Sequence, residues 1–144
     1  MLETVPIYGL TLYQPWAWAI AEGYKKIENR PWAPPPSVLA NKSFIAIHAG
    51  VKYDHDGFHF LSDRLGLRVP YNVVQGAIVC VARLDGVVTE SDDPCFFGPF
   101  GWVLKDVVRL ARPVPARGFQ KLWGLKPETL EAVRDEYRAA TTTP

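Results

Sequence analysis

The segment GYKKIENRPW, residues 23–32, carries the residue types that could do chemistry in this chain. Lys25, Glu28 and Arg30 place two cations and a carboxylate within six residues. Lysine and arginine can contact phosphate or the acceptor atoms of a base edge, and a carboxylate can accept a hydrogen bond from an exocyclic amine. The alternative is an exposed ladder of ion pairs on a strand surface, which contributes little to stability.

The directions in which these charged side chains project depend on the strand that the segment predicts. Side chains alternate between the two faces of a strand, so we expect Lys26, Glu28 and Arg30 to project together and Asn29 to project oppositely. Lys25 stands at the junction between the preceding helix and the strand, where either direction is open. The pattern therefore predicts a group of cations around one carboxylate.

Tryptophans flank the charged segment. Trp16 and Trp18 precede Lys25, and Trp32 lies two residues after Arg30. An indole ring offers a flat surface on which a splayed-out base can stack and a site for a cation. Packing in the apolar core is the alternative for each of these side chains.

The same charges could serve an enzyme. To act as a base or to activate a nucleophile, Lys25 would need a pKa lowered by burial or by Arg30. Glu28 would then assist proton transfer. The sequence alone leaves both a binding site and a catalytic site open.

The histidines offer weaker signals. His48 ends the apolar strand FIAIH, where it is either a hydrogen-bonded structural residue or a pocket residue that titrates near neutral pH. His55 and His59 have the i, i+4 spacing of two metal ligands on one helix face. Because the sequence identifies no third ligand group, we predict no metal site and no cofactor.

Composition and periodicity predict the elements that must position these residues. Strands are predicted at residues 7–13, 25–32, 44–50, 71–88 and 102–115. Helices are predicted at residues 14–24, 54–67 and 127–140. Strands with helices inserted between them predict an α+β fold, a small mixed β-barrel of about five to six strands with helices on its surface.

The composition is that of a soluble globular protein. The chain has 144 residues, 48% hydrophobic and 22% charged, and we expect one domain over residues 1–144 with a frayed tail at 141–144. A net charge of +1 gives no long-range attraction for a polyanion, so nucleic-acid binding would rest on a local patch. No apolar stretch predicts a membrane span or a signal peptide, so we expect a cytoplasmic protein. Cys80 and Cys95 indicate a reducing compartment, with a disulfide as the alternative.

Most of the chain, from about residue 8 to residue 125, resembles the ASCH domain of the PUA-like superfamily. The family signature Gly-x-Lys-x-x-Glu-x-Arg matches Gly23, Lys25, Glu28 and Arg30. Other segments resemble the family in the same order along the chain: QPWA (14–17), FIAIHAG (44–50), GPFGWVL (98–104) and RPVPARGFQKLWGL (112–125).

The resemblance implies a PUA-like β-barrel with a cleft between the barrel and the first helix, lined by the signature residues. It also implies RNA or a nucleotide-like small molecule as the partner. In such a cleft, Trp16 or Trp102 would stack on a base and Gln14 would contact a base edge. We expect His48 and Arg117 to border the same cleft, with Arg117 carried there by the predicted closing loop over residues 115–124.

The resemblance leaves two alternatives to binding. Some relatives resemble amidohydrolases that act on acylated cytidine, and ribonuclease activity is attributed to others; Lys25 and Glu28 would then be catalytic. The amidohydrolase-like branch carries a threonine nucleophile three residues after the lysine, where this chain has Glu28. The second alternative is a module that binds a protein partner through its aromatic loops.

Overall fold

A computed structural model of the protein describes residues 5–142. Its strands are β1 (Ile7–Gln14), β2 (Ile27–Arg30), β3 (Phe44–Tyr53), β4 (Ala77–Val88), β5 (Phe100–Pro115) and β6 (Leu122–Gly124). Its helices are α1 (Trp16–Ala21), α2 (Pro36–Ala40), α3 (His55–His59), which continues as a π-helical turn over Phe60–Arg64, and α4 (Pro127–Thr141).

The strands of the described residues form one sheet in the order β2-β5-β4-β3-β1-β6. β1 and β3 are parallel, and the other neighbouring pairs are antiparallel. The prediction of an α+β fold with five to six strands is confirmed, and the sheet of the described residues is not closed into a barrel. A barrel needs a hydrogen-bonded ladder between its edge strands, and the edges β2 and β6 have four and three residues and do not pair with each other. Pro31, which follows β2, has no N–H with which to extend that edge.

An apolar core lies on each face of the sheet. The alternation along β3 shows the division, because Ile45 and Ile47 belong to one core and Ala46 to the other. Helices α1 and α2 cover the first core. Helix α4 covers the second through an apolar stripe formed by Leu130, Val133 and Tyr137.

Helix α1 is short and is held in place by the residue that precedes Pro15. Oε1 of Gln14 accepts a hydrogen bond from the backbone N–H of Trp18 at 2.8 Å, and Nε2 of Gln14 donates to the carbonyl oxygen of Val74 at 2.6 Å. The turn after the helix passes through Gly23, whose φ of +85° favours glycine. This turn directs the chain into β2.

Several boundaries differ from those predicted. The strand predicted over residues 71–88 begins at Ala77, because the chain turns at Gly76, whose φ is +73°. The sequence predicts loops where the structure has α2 and β6, and β6 is defined only by its pairing with β1. In the tail predicted over residues 141–144, Thr141 is the last residue of α4, and residues 143–144 lie outside the described residues.

Both cysteines are buried in the interior. Cys80 and Cys95 are free thiols, so the alternative of a disulfide between them is wrong. No helix within residues 5–142 combines the length and the apolar character needed to cross a membrane.

Gly9 of β1 provides a test of how tightly the sheet is packed. A Cβ atom at Gly9 would lie 2.4 Å from the indole of Trp123, whereas one at Gly86 of β4 would meet no atom within 4 Å. We expect Gly9→Ala to lower the free energy of unfolding by about 1–3 kcal/mol through overpacking. The matched control Gly86→Ala should be neutral or stabilising. Urea denaturation measures both changes, and equal midpoints for the two variants would contradict the packing described.

Candidate functional site

Lys25 lies at the turn between α1 and β2, with its side chain directed into the protein. Its backbone N–H donates to the carbonyl oxygen of Ala19 at 3.1 Å, which continues the turn that ends α1. The side chain is only 2% exposed. Its Nζ donates to the carbonyl oxygen of Ile27 and, at 2.8 Å, to Oε1 of Glu28. The ammonium group is therefore buried together with acceptors, as a buried charge requires.

Glu28 lies between two cations. Its Oε1 binds Lys25, and its Oε2 lies 3.1 Å from Nε of Arg30. Nη2 of Arg30 donates to the carbonyl oxygen of Thr11 at 2.9 Å. The Nε–H of Arg30 has no aligned hydrogen-bond acceptor among the described residues, so Nε is held to Glu28 by charge rather than by a directed bond. The structure thus brings Lys25, Glu28 and Arg30 into one chain of charges.

Lys26 takes no part in this chain of charges. Strand alternation predicts that Lys26 projects with Glu28 and Arg30, and this prediction is wrong because Lys26 is exposed while Lys25 is buried. β2 begins only at Ile27. The residues before it follow the turn out of α1 and do not alternate as in a strand.

A cavity of about 310 Å³, which we call the small cavity, lies beside the chain of charges. β1 contributes Thr11 and Tyr13 to its wall, and α1 contributes Trp16. The centroid of the Trp16 ring lies 5.5 Å from Nζ of Lys25, and Nε1 of Trp16 donates to Oδ2 of Asp54 at 2.8 Å. The small cavity therefore combines an aromatic wall with an ammonium, a guanidinium and two carboxylates.

Asp54 both caps α3 and orients the indole. Its Oδ1 accepts a hydrogen bond from the backbone N–H of Gly57 at 3.0 Å, as an N-cap residue does. A Cβ atom at Gly57 would lie 2.7 Å from the Trp16 ring. The missing side chain at this position allows the indole to lie against α3.

Asn29 holds the loop before β5 next to the small cavity. Its Oδ1 accepts from the backbone N–H groups of Phe97 at 2.7 Å and Gly98 at 3.0 Å, and its Nδ2 donates to the carbonyl oxygen of Cys95 at 2.9 Å. The ring of Phe97 lines the cavity, with its centroid 6.1 Å from that of Trp16.

The sequence does not indicate that Asn29, Asp54 or Phe97 belongs to the site. The helix start after Asp54 is a local signal that predicts a capping residue, although it does not indicate a cavity. Asn29 lies in the charged segment, but its partners are more than 60 residues away along the chain. No local pattern indicates Phe97.

A second cavity of about 700 Å³, which we call the large cavity, adjoins the first. Thr11, Tyr13 and Arg30 line both cavities. His48 and Arg117, which sequence analysis places in the same cleft as Lys25, line the large cavity instead.

His48 is the centre of a hydrogen-bonded network on the floor of the large cavity. Nε1 of Trp123 donates to Oγ1 of Thr11 at 3.2 Å, so the Thr11 hydroxyl can donate to Nδ1 of His48, also at 3.2 Å. Nε2 of His48 then carries the proton and donates to the carbonyl oxygen of Ala116 at 2.7 Å. Burial lowers the pKa of His48 below its ordinary value of 6.5, and the bond to Ala116 opposes this shift only in part.

Gln14 and Trp102, which are predicted to contact a ligand, do not line either of these two cavities. The side chain of Gln14 is committed to Trp18 and Val74, as described above. Trp102 is fully buried in the core and donates from Nε1 to the carbonyl oxygen of Trp32 at 3.1 Å. Both side chains satisfy their polar atoms inside the fold, so neither is available to a ligand in these cavities.

The spacing of His55 and His59 does not assemble a ligand set. Nδ1 of His59 lies 3.6 Å from a carboxylate oxygen of Asp63, and His55 packs against Tyr53. Within residues 5–142, no group of three His, Cys, Asp or Glu side chains is placed to hold a metal ion.

Comparison with known proteins identifies the family. The sequence profile of the ASCH domain matches residues 10–93. The chain belongs to the ASCH family. Similar solved structures include the ASCH protein of Zymomonas mobilis, with 17% identity over 90% of this chain and 94% of that chain and a TM-score of 0.55. A single-residue variant of that protein has 16% identity, covers 90% of this chain and 97% of its own, and has a TM-score of 0.59.

At this level of identity the solved structures show the fold alone, an α+β fold that this chain shares with them. Comparison with curated proteins finds no match.

The burial of Lys25 predicts a large difference between two neighbouring lysines. We expect Lys25→Met to lower the free energy of unfolding by about 3 kcal/mol, because Glu28 would remain buried with one cation instead of two. Lys26→Met removes the same charge from an exposed position and should change the free energy of unfolding by less than about 0.5 kcal/mol. Urea unfolding followed by circular dichroism measures both, and the double variant Lys25→Met/Glu28→Gln should recover part of the loss. If both lysine variants are equally stable, Lys25 is not held as described.

The lowered pKa of His48 predicts a dependence of stability on pH. The native imidazole stays neutral at pH values where the unfolded chain binds a proton, so acidification favours unfolding. On acidification from about pH 7.5 to about pH 5.5, the protonation of this histidine in the unfolded chain should lower the free energy of unfolding by up to about 1.4 kcal/mol. His48→Gln should remove this pH-dependent part of the free energy of unfolding. His55→Gln, at an exposed position, should retain it. Denaturation series at both pH values test this, and the same slope in wild type and His48→Gln would refute it.

Proposed function

We propose that the protein binds single-stranded RNA or a nucleotide-like ligand by accepting a base into the small cavity. The observation that carries this proposal is the buried chain of charges formed by Lys25, Glu28 and Arg30 beside the Trp16 ring. A surface ladder of ion pairs would be exposed to solvent. Here a carboxylate and an ammonium are held in fixed positions at the wall of a cavity, and fixed polar groups are what a specific ligand site requires.

The polar groups of the small cavity suit a base edge that carries both a donor and an acceptor. An ammonium group has three N–H bonds, and Lys25 directs two of them to Ile27 and Glu28. The third is available to a ring acceptor, and the carboxylates of Glu28 and Asp54 can accept from an exocyclic amine. Adenine and cytosine present such an amine on their edges.

The aromatic wall of the small cavity supplies a further contribution to the free energy of ligand binding. Trp16 is half-buried and its indole is fixed by the hydrogen bond to Asp54, so it is ordered before a ligand arrives. Base stacking on an aromatic side chain contributes about 1–3 kcal/mol per base. A fixed ring loses little conformational entropy on binding.

Hydrolysis is less well supported by the same groups. Position 28 carries a carboxylate where the amidohydrolase-like relatives carry the threonine nucleophile. Thr11 does bring a hydroxyl to the cavity wall, but its oxygen accepts from Trp123 and is bonded to His48.

Substitution of Trp16 tests the binding proposal. We expect Trp16→Leu to weaken the binding of a short fluorescent oligoribonucleotide by about 5- to 150-fold, which is the affinity that the stacking of one base supplies. Trp18→Leu is the matched control, because Trp18 is also half-buried, packs against Tyr24 and does not line the small cavity. Fluorescence anisotropy measures the affinities.

Recovery of the ligand separates binding from catalysis. Chromatography should return the oligoribonucleotide unchanged. Cleavage of the strand, or turnover of an acylated cytidine, that is lost in Glu28→Gln would favour the hydrolase. If the wild type binds no oligoribonucleotide and converts neither compound, the proposal fails and a protein partner becomes the remaining alternative.

A further inference from the structure

The two adjoining cavities differ in charge. The small cavity is lined by two cations and two carboxylates. The large cavity is lined by four cations and by no Asp or Glu among the described residues: Arg30, Lys52, Arg117 and Lys121. Aromatic rings accompany them, from Tyr13, Trp32 and Phe119. The large cavity therefore has the composition of an anion site, although the whole chain has a net charge of only +1.

Three of the four cations of the large cavity have no ion pair with a described carboxylate, whereas Arg30 is paired with Glu28. Arg109 and Arg112 lie 3.2 and 3.1 Å from carboxylate oxygens. By contrast, Lys52, Arg117 and Lys121 form no ion pair with a described carboxylate. The Arg117 guanidinium lies 5.2 Å from the centroid of the Phe119 ring, and Nζ of Lys52 lies 5.8 Å from that of Tyr13. Their positive charge is not neutralised by neighbouring side chains.

The loop that carries Arg117 and Lys121 is anchored to the sheet. The backbone N–H of Ala116 donates to the carbonyl oxygen of Gly76 at 3.1 Å, and the carbonyl of Ala116 accepts from His48. Gly118 packs closely over the floor, because a Cβ atom there would lie 2.5 Å from Oγ1 of Thr11 and 2.7 Å from the imidazole ring of His48.

Lys121 holds a left-handed backbone conformation with φ of +59°, which is uncommon for a residue other than glycine. It lies directly before β6. The loop is therefore constrained at both ends, at Ala116 and at Lys121, and it presents its cations to the large cavity in a defined conformation.

We infer that the large cavity holds the phosphates of a strand whose base occupies the small cavity. This inference rests on the proposed function and narrows it to a phosphate-bearing single strand rather than a free nucleoside. Arg30 lies at the junction, since it lines both cavities and is bound to Glu28 on one side and to the Thr11 carbonyl on the other. A strand entering from the large cavity would pass Arg30 before its base reached Lys25.

A double variant that removes two positive charges tests the role of the loop. Arg117→Gln/Lys121→Gln should weaken the binding of an oligoribonucleotide about tenfold at about 0.1 M salt, and should lower the salt slope by about 0.7 for each phosphate that the loop no longer neutralises. Arg68→Gln/Lys126→Gln is the matched control, because it removes the same charge from exposed positions that line neither cavity. Anisotropy titrations over a range of salt concentrations measure both.

Two further probes separate this inference from the proposed function. An abasic ribose-phosphate strand of the same length should still bind the wild type, should bind the loop variant more weakly, and should be insensitive to Trp16→Leu. A free nucleoside should bind far more weakly than the strand and be insensitive to the loop variant. If Trp16→Leu weakens binding of the strand but the loop variant matches its control, the inference is wrong and the proposed function stands. If only the abasic strand and the loop variant behave as expected, the phosphate site stands and the base site is wrong.

Discussion

An ammonium group that is 2% exposed needs acceptors within hydrogen-bond distance, and at Lys25 those acceptors come from the strand that follows it. Glu28 can accept only if β2 pairs with β5 in the observed register, which sets Glu28 opposite Trp102. The burial of Trp102 in the core therefore supports the position of the carboxylate, although the ring itself contacts neither cavity. The stability of the fold and the geometry of the candidate site therefore both depend on the ion pair between Lys25 and Glu28.

Thr11 connects the separate parts of the site. Its carbonyl oxygen accepts from Arg30, while its hydroxyl links Trp123 to His48, which in turn holds Ala116 at the start of the loop over the large cavity. The residue lies on β1, whose parallel partner β3 carries His48 in direct register with it. Thr11 thus fixes the chain of charges and the loop that carries Arg117 and Lys121 relative to each other.

The cavities lie where two strands that are not hydrogen-bonded neighbours in the sheet approach each other. Arg30 of β2 donates to the carbonyl oxygen of Thr11 of β1, and both residues line the space that forms the two cavities. Asn29 and the loop that carries Phe97 cover one part of this space, and the loop after β5 covers the other. The small cavity has its carboxylates from Glu28 of β2 and Asp54 before α3, whereas the loop after β5 adds only cations, Arg117 and Lys121, to the large cavity.

The sequence by itself determined the α+β class, most strands, the apolar stripe of α4 and the charged signature, since each depends on periodicity or composition within a few residues. Only the tertiary structure decided that Lys25 rather than Lys26 is buried, because the turn after α1 overrides strand alternation there. It also decided that Trp102 and Gln14 are structural, and that Phe97 reaches the small cavity. These outcomes depend on contacts between residues far apart in the chain, and no local pattern specifies which partner satisfies a buried polar group.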